Sequence, residues 1–102
     1  MKMEPEQNIT PDCWILLELI HEGRTYQKVL AGWSGSYAYG DSWRLSSNIR
    51  SMLIEDKEYQ ITTESGSTYI LNKGTQGLRM SIAGIYNDLK EKYGNQVTRV
   101  EI

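Results

Sequence analysis

The sequence predicts an α+β domain: an antiparallel sheet of five to seven strands, one C-terminal amphipathic helix packed on it, and a short strand after the helix. Three observations carry this. Runs of alternating apolar and polar residues recur between turn signals through most of the chain, the pattern of antiparallel strands. Beyond Thr75 the apolar period lengthens to three and four, the pattern of a helix with one buried face. The stripe stops at Gly94 and alternation resumes at Val97.

Taken in order, residues 1–11 are polar, hold both prolines and lack periodicity, so they read as a flexible tail ahead of a single domain at 12–102. Cys13 to Ile20 is apolar apart from Glu18, which predicts a central strand buried on both faces. Glu22-Gly23 is a tight-turn signal. Arg24 to Trp33 then reads as a second strand with one wetter face. Trp43 and Leu45 alternate with Ser42 and Arg44, and Ser46-Ser47-Asn48 reads as a bend or bulge. Ile49 to Ile54 forms a strand and Asp56-Lys57 a turn. Tyr59, Ile61 and Thr63 alternate in the next strand, and Thr68 to Leu71 pairs back after Ser65-Gly66. Leu78, Ile82, Ile85, Tyr86, Leu89 and Tyr93 make one helical stripe, which predicts a helix over Gln76–Tyr93. Thr75 is the expected N-cap and Gly94 the left-handed stop. Arg79, Asn87, Asp88, Lys90 and Glu91 fall on its wet side.

Composition narrows the function classes. At 102 residues with 39% hydrophobic and 24% charged side chains, the chain can build one core and is not globally disordered. A net charge of −2 argues against affinity drawn mainly from nucleic-acid phosphates. A single cysteine, Cys13, forms no disulfide within the chain. No apolar run approaches the roughly 20 residues of a membrane span, and the polar, acidic start is unlike a signal peptide. These features predict a cytoplasmic protein with no membrane partner.

The segment "AGWSGSYAYGDSW", Ala31 to Trp43, holds two Trp, two Tyr, three Gly and three Ser. Gly35 to Ser42 has the spacing of a phosphate loop, but Asp41 stands where the loop needs a lysine, and strand-like sequence follows instead of a helix. "GDSW" resembles a Gly-Asp-Ser nucleophile block, whose histidine base lies far downstream; His21, the one histidine, is upstream. "GWSGS" departs from the nucleophile elbow at Ser36. One Cys and one His make no zinc site. Glu55, Asp56 and Glu58 read as a solvated turn, and Cys13 as a small buried hydrophobe. The expectation is a non-enzyme without metal or cofactor.

Tyr and Trp offer large contact area at low entropic cost, and Gly and Ser let the backbone adapt, as in recognition loops. The candidate binding residues are therefore Trp33, Tyr37, Tyr39, Trp43, Arg44 and Arg50. Trp33 and Trp43 read more readily as strand-end anchors of the core than as surface contacts. From Arg24 to Arg50 there are four basic residues against one acidic, so a platform that stacks single-stranded nucleic acid is the alternative.

The blocks "DCWILLELI", "KVLAGWSGSY…GDSWRLSSNI" and "SGSTYILNK" resemble a set of small uncharacterised proteins from phages, prophages and bacterial genomes. Those proteins share a Gly-rich aromatic turn running into G-D-S-W-[RK]-L-S-S; here Asn48 stands where glycine is expected. The resemblance covers about residues 12–86 and implies a mobile-element setting, with no activity or site residue attached. Small acidic proteins in that setting include anti-CRISPR and other inhibitors of host defence. The expectation is a protein-binding accessory protein that blocks a host protein, with nucleic-acid binding as the alternative. Oligomeric state is not encoded in any pattern described above.

Overall fold

The computed structural model describes residues 8–34 and 42–102. Among these, eight strands and one helix form in the order β1 (Asn8–Ile9), β2 (Cys13–His21), β3 (Arg24–Trp33), β4 (Ser42–Leu45), β5 (Ile49–Ile54), β6 (Glu58–Thr63), β7 (Thr68–Asn72), α1 (Met80–Tyr93) and β8 (Val97–Val100). The α+β class, the C-terminal helix and the terminal strand are as the sequence predicts. The strands divide into two four-stranded sheets, ordered β4-β3-β2-β8 and β1-β7-β6-β5.

The apolar run of β2 explains the architecture. Side chains alternate faces along a strand, and here both faces are covered. Cys13, Ile15 and Leu17 point to α1, where they pack with Leu30, Ile82 and Val97. Trp14 and Leu16 point to the second sheet and pack with Val29, Ala31, Ile61, Tyr69 and Leu71. The molecule is therefore three layers, helix, sheet and sheet, with β2 and β3 in the middle. Trp14 has no exposed surface. It donates its indole N–H to the Asn72 carbonyl at 2.8 Å and meets the Tyr59 ring edge-on at 5.9 Å, so one side chain fastens the two sheets.

The β2–β3 turn forms at Glu22 and Gly23, with φ of 51° and 77°, between the paired residues His21 and Arg24. Two left-handed residues in a two-residue loop match the right-handed twist of the strands. The Ser46–Asn48 bend carries the chain from the first sheet to the second. Val29 N–H donates to Ser46 Oγ at 2.8 Å, Glu64 N–H to the Asn48 carbonyl at 2.9 Å, and Ser65 N–H to Ser47 Oγ at 3.1 Å. This corner is what splits the strands into two sheets. The bulge lies one strand later, where Arg50 is the extra residue between the pairs Ile49–Thr63 and Ser51–Thr62.

Two boundaries differ from the sequence reading. Residues 8–9, inside the expected tail, pair in parallel with Thr68 and Tyr69, and Ile9 is buried. The helix begins at Met80, not Gln76, and Thr75 is not its N-cap. Asn72 captures Gly74 N–H at 2.8 Å and starts a 3-10 turn over Lys73–Thr75. Gln76 then bridges beside Trp14, and Gly77 N–H donates to the Trp14 carbonyl at 2.8 Å. That extended stretch holds the chain out of helix until Arg79, yet Leu78 still reaches the core. The C-terminal stop is at Gly94, φ 57°, as expected. Lys90 is half-buried rather than on a wet face, because its amine donates to the Val97 carbonyl at 2.8 Å and the Gly94 carbonyl at 3.3 Å.

Candidate functional site

The aromatic segment connects two paired strands, so its ends are fixed. Trp33 pairs with Ser42 and Gly32 with Trp43. Trp33 donates its indole N–H to the Thr10 carbonyl at 3.1 Å, and Ser34 N–H donates to Asp12 Oδ2 at 2.8 Å. The segment thus departs from a point tied to the β1–β2 connection. Tyr37 and Tyr39, the predicted contact tyrosines, and Asp41, the phosphate-loop decoy, lie outside the described residues.

The two tryptophans leave this hairpin on opposite faces. Trp33 shares a face with Ala31 and Val29, is half-buried, and packs on the core between the sheets. It is an anchor. Trp43 shares the helix-side face with its partner Gly32, and half of its surface (50%) is exposed. Arg44, paired with Ala31, is exposed on the other face. Burial pushes the Tyr69 phenol above its ordinary pKa, and the positive charge of Arg44 partly opposes that rise. Arg50, exposed at the bulge, belongs to the second sheet.

β4 and β5 are consecutive in sequence and each is the edge of its sheet. Together they form a ribbon, Ser42 to Ile54, whose exposed residues include Trp43, Arg44 and Arg50, while Ser46 is buried and Leu45, Ile49 and Met52 pack on the core. It also carries two residues the sequence reading did not single out. Leu53 and Ile54 are 55% and 66% exposed at the end of β5. A signal was present: adjacent strand residues point to opposite faces, so two consecutive large apolar residues before the Glu55-Asp56 turn cannot share one covered face.

Other groups tested for chemistry sit apart. Cys13 is buried, with its sulfur 3.3 Å from Ser81 Oγ, at the contact between β2 and the first turn of α1. His21 is exposed at the opposite end of β2, 3.7 Å from Glu22. Among the described residues, no three His, Cys, Asp or Glu side chains group to hold a metal ion, and no helix is long and apolar enough to cross a membrane.

Searches against protein-family models, curated proteins and solved structures found no match for this chain.

Proposed function

We propose that this protein is a protein-binding module whose contact surface is the ribbon Ser42–Ile54 together with the aromatic segment leading into it. The observation that carries this reading is Trp43. A tryptophan half-exposed on a four-residue edge strand leaves a large apolar area in water, and tryptophan is among the residue types that most often form the energetic centres of protein interfaces. Leu53 and Ile54 extend the apolar content of the same ribbon. The resemblance to phage and prophage proteins suggests the partner class, a host protein that the binding would inhibit, and a cytoplasmic setting.

A nucleic-acid platform needs its aromatics and cations on one track. Arg24 lies nine residues from Trp33 along an extended strand, roughly 30 Å away, and Trp33 and Trp43 face opposite ways. This arrangement favours the protein partner. The test is affinity capture from host lysate, with and without nuclease, using the wild type and Trp43→Ala. The expected result is a stoichiometric, nuclease-resistant partner that the folded variant loses. Capture that disappears with nuclease, or falls steeply with salt, supports nucleic-acid binding instead.

A further inference from the structure

The helix is too short to cover the strands beneath it. α1 has 14 residues, about 21 Å at the helical rise, whereas β2 has nine, about 30 Å. Ser81 and Ile82 seat the start of the helix beside Gly32, so the shortfall falls at the β2–β3 turn. There Leu19 is flanked by its partners Tyr26 and Val97. These three residues, with Tyr93 at the end of the helix and Lys28 on β3, line a cleft of about 640 Å³.

Its charges are one-sided. Lys28 is half-buried, and its amine makes one hydrogen bond, 3.3 Å to the Ser46 carbonyl. Among the described residues, no carboxylate lies within ion-pair distance of it. Behind Tyr93, at the end of the helix, Lys90 is bonded to the carbonyls of Gly94 and Val97, and the Lys92 amine lies 5.4 Å from the centre of the Tyr93 ring. These amines offset the negative end of the helix dipole, which would otherwise repel an anion. The nearby acid, Glu22, projects into solvent beside His21 and does not line the cleft. Asn48 and Gln96 are also in the lining.

We propose that this cleft binds a small aromatic carboxylate, with the ring between Tyr26 and Tyr93 over Leu19 and the carboxylate on Lys28. A partly buried cation is stabilised by an anionic partner, and among the described residues Lys28 has none. A single amine suits a singly charged planar group; a phosphate dianion draws on several cations or a helix N-terminus. The volume is within the range of small-molecule sites. The carboxylate belongs either to a free acid or to the aromatic C-terminal residue of a peptide; the chemistry is shared. The cleft meets the ribbon only at Ser46 and Asn48 and uses none of Trp43, Arg44, Arg50, Leu53 or Ile54, so the proposal does not depend on the contacts proposed there.

The experiment is an amide-resolved NMR titration of the full chain with naphthylacetate, its neutral amide, and acetyl-Ala-Phe with a free carboxyl terminus. At least one of the two acids should produce saturable shifts at Leu19, Tyr26 and Val97, and whichever binds identifies the source. The neutral amide should bind at least about tenfold more weakly, and Lys28→Met should weaken the acid by a similar factor. If Lys28→Met does not fold, Tyr93→Ala, at a half-exposed position, provides the second variant and should also lose affinity. Absence of saturable shifts with both acids, equal affinity for acid and amide, or unchanged affinity in the folded variants would overturn the proposal.

Discussion

Replacing Gly32 by alanine sets two physical effects against each other. Gly32 sits in β3 with ordinary extended geometry, so backbone entropy alone predicts that alanine stabilises by about 0.4–1 kcal/mol. Packing predicts the opposite. A β-carbon there would collide with Ser81 Oγ, lie 2.6 Å from Ile82 Cγ2 and 3.1 Å from Cys13 Sγ. Ile82 is fully buried and cannot swing away, so the first turn of α1 must lift off the sheet. Overpacking of this kind costs about 1–3 kcal/mol, which exceeds the entropic gain and is a sizeable share of a domain stability of roughly 5–15 kcal/mol. Urea denaturation of Gly32→Ala should show a lower midpoint with an unchanged slope. Ile82→Ala removes the colliding methyl, so the double variant should fall short of the sum of the two single losses. A Gly32→Ala midpoint at or above that of the wild type would show that the helix is not seated on this glycine.

The two tryptophans should separate in melting experiments: Trp33→Ala loses core packing and its bond to Thr10, whereas Trp43→Ala costs less because half of that side chain is already in water. Leu89→Asp should unfold or severely destabilise the domain by placing a charge against the helix-side core. Lys90→Asp should also destabilise, by about 1–2 kcal/mol, since it removes two carbonyl contacts and puts a negative charge at a helix C-terminus; a neutral result would mean those contacts do not form in solution. Burial raises the Tyr69 phenol above its ordinary value of about 10. Its contribution to stability is therefore complete below pH 10 or so and is lost as pH rises through the folded value. Tyr69→Phe should flatten that alkaline loss, and Arg44→Ala should move the tyrosinate absorbance transition still higher, because the opposing positive charge is gone.

How much of this was legible in the sequence depended on whether one face or a partner decided the outcome. β2 announced burial on both sides through its unbroken apolar run, and Glu22-Gly23 and Gly94 announced their turns because each holds an L-residue or glycine at positive φ. The helix stripe was legible, but not its start: Leu78 fits the helical spacing although it lies ahead of the helix, next to Gly77, whose N–H is held by the Trp14 carbonyl. Alternation also cannot say which sheet a strand joins. The division into two sheets rests on the hydrogen bonds of Ser46, Ser47 and Asn48, and nothing in three small polar residues distinguishes such a corner from a hairpin loop. At the candidate site, Trp33 and Trp43 are the same residue type at the two ends of one segment. Only the pairing register, Trp33 with Ser42 and Gly32 with Trp43, sends one toward the core and leaves the other exposed.

The partner of β2 on its outer side is β8, with Leu19 beside Val97. Those residues are roughly 80 positions apart, a non-local contact of the kind that slows folding. On the ribosome β2 and β3 emerge well before β8 and can form their hairpin at once. The other edge of β2, at the centre of the domain and apolar on both faces, stays open until β8 has been made. During that interval the nascent chain presents an unpaired apolar strand to any other chain nearby, a hazard that chaperones exist to cover.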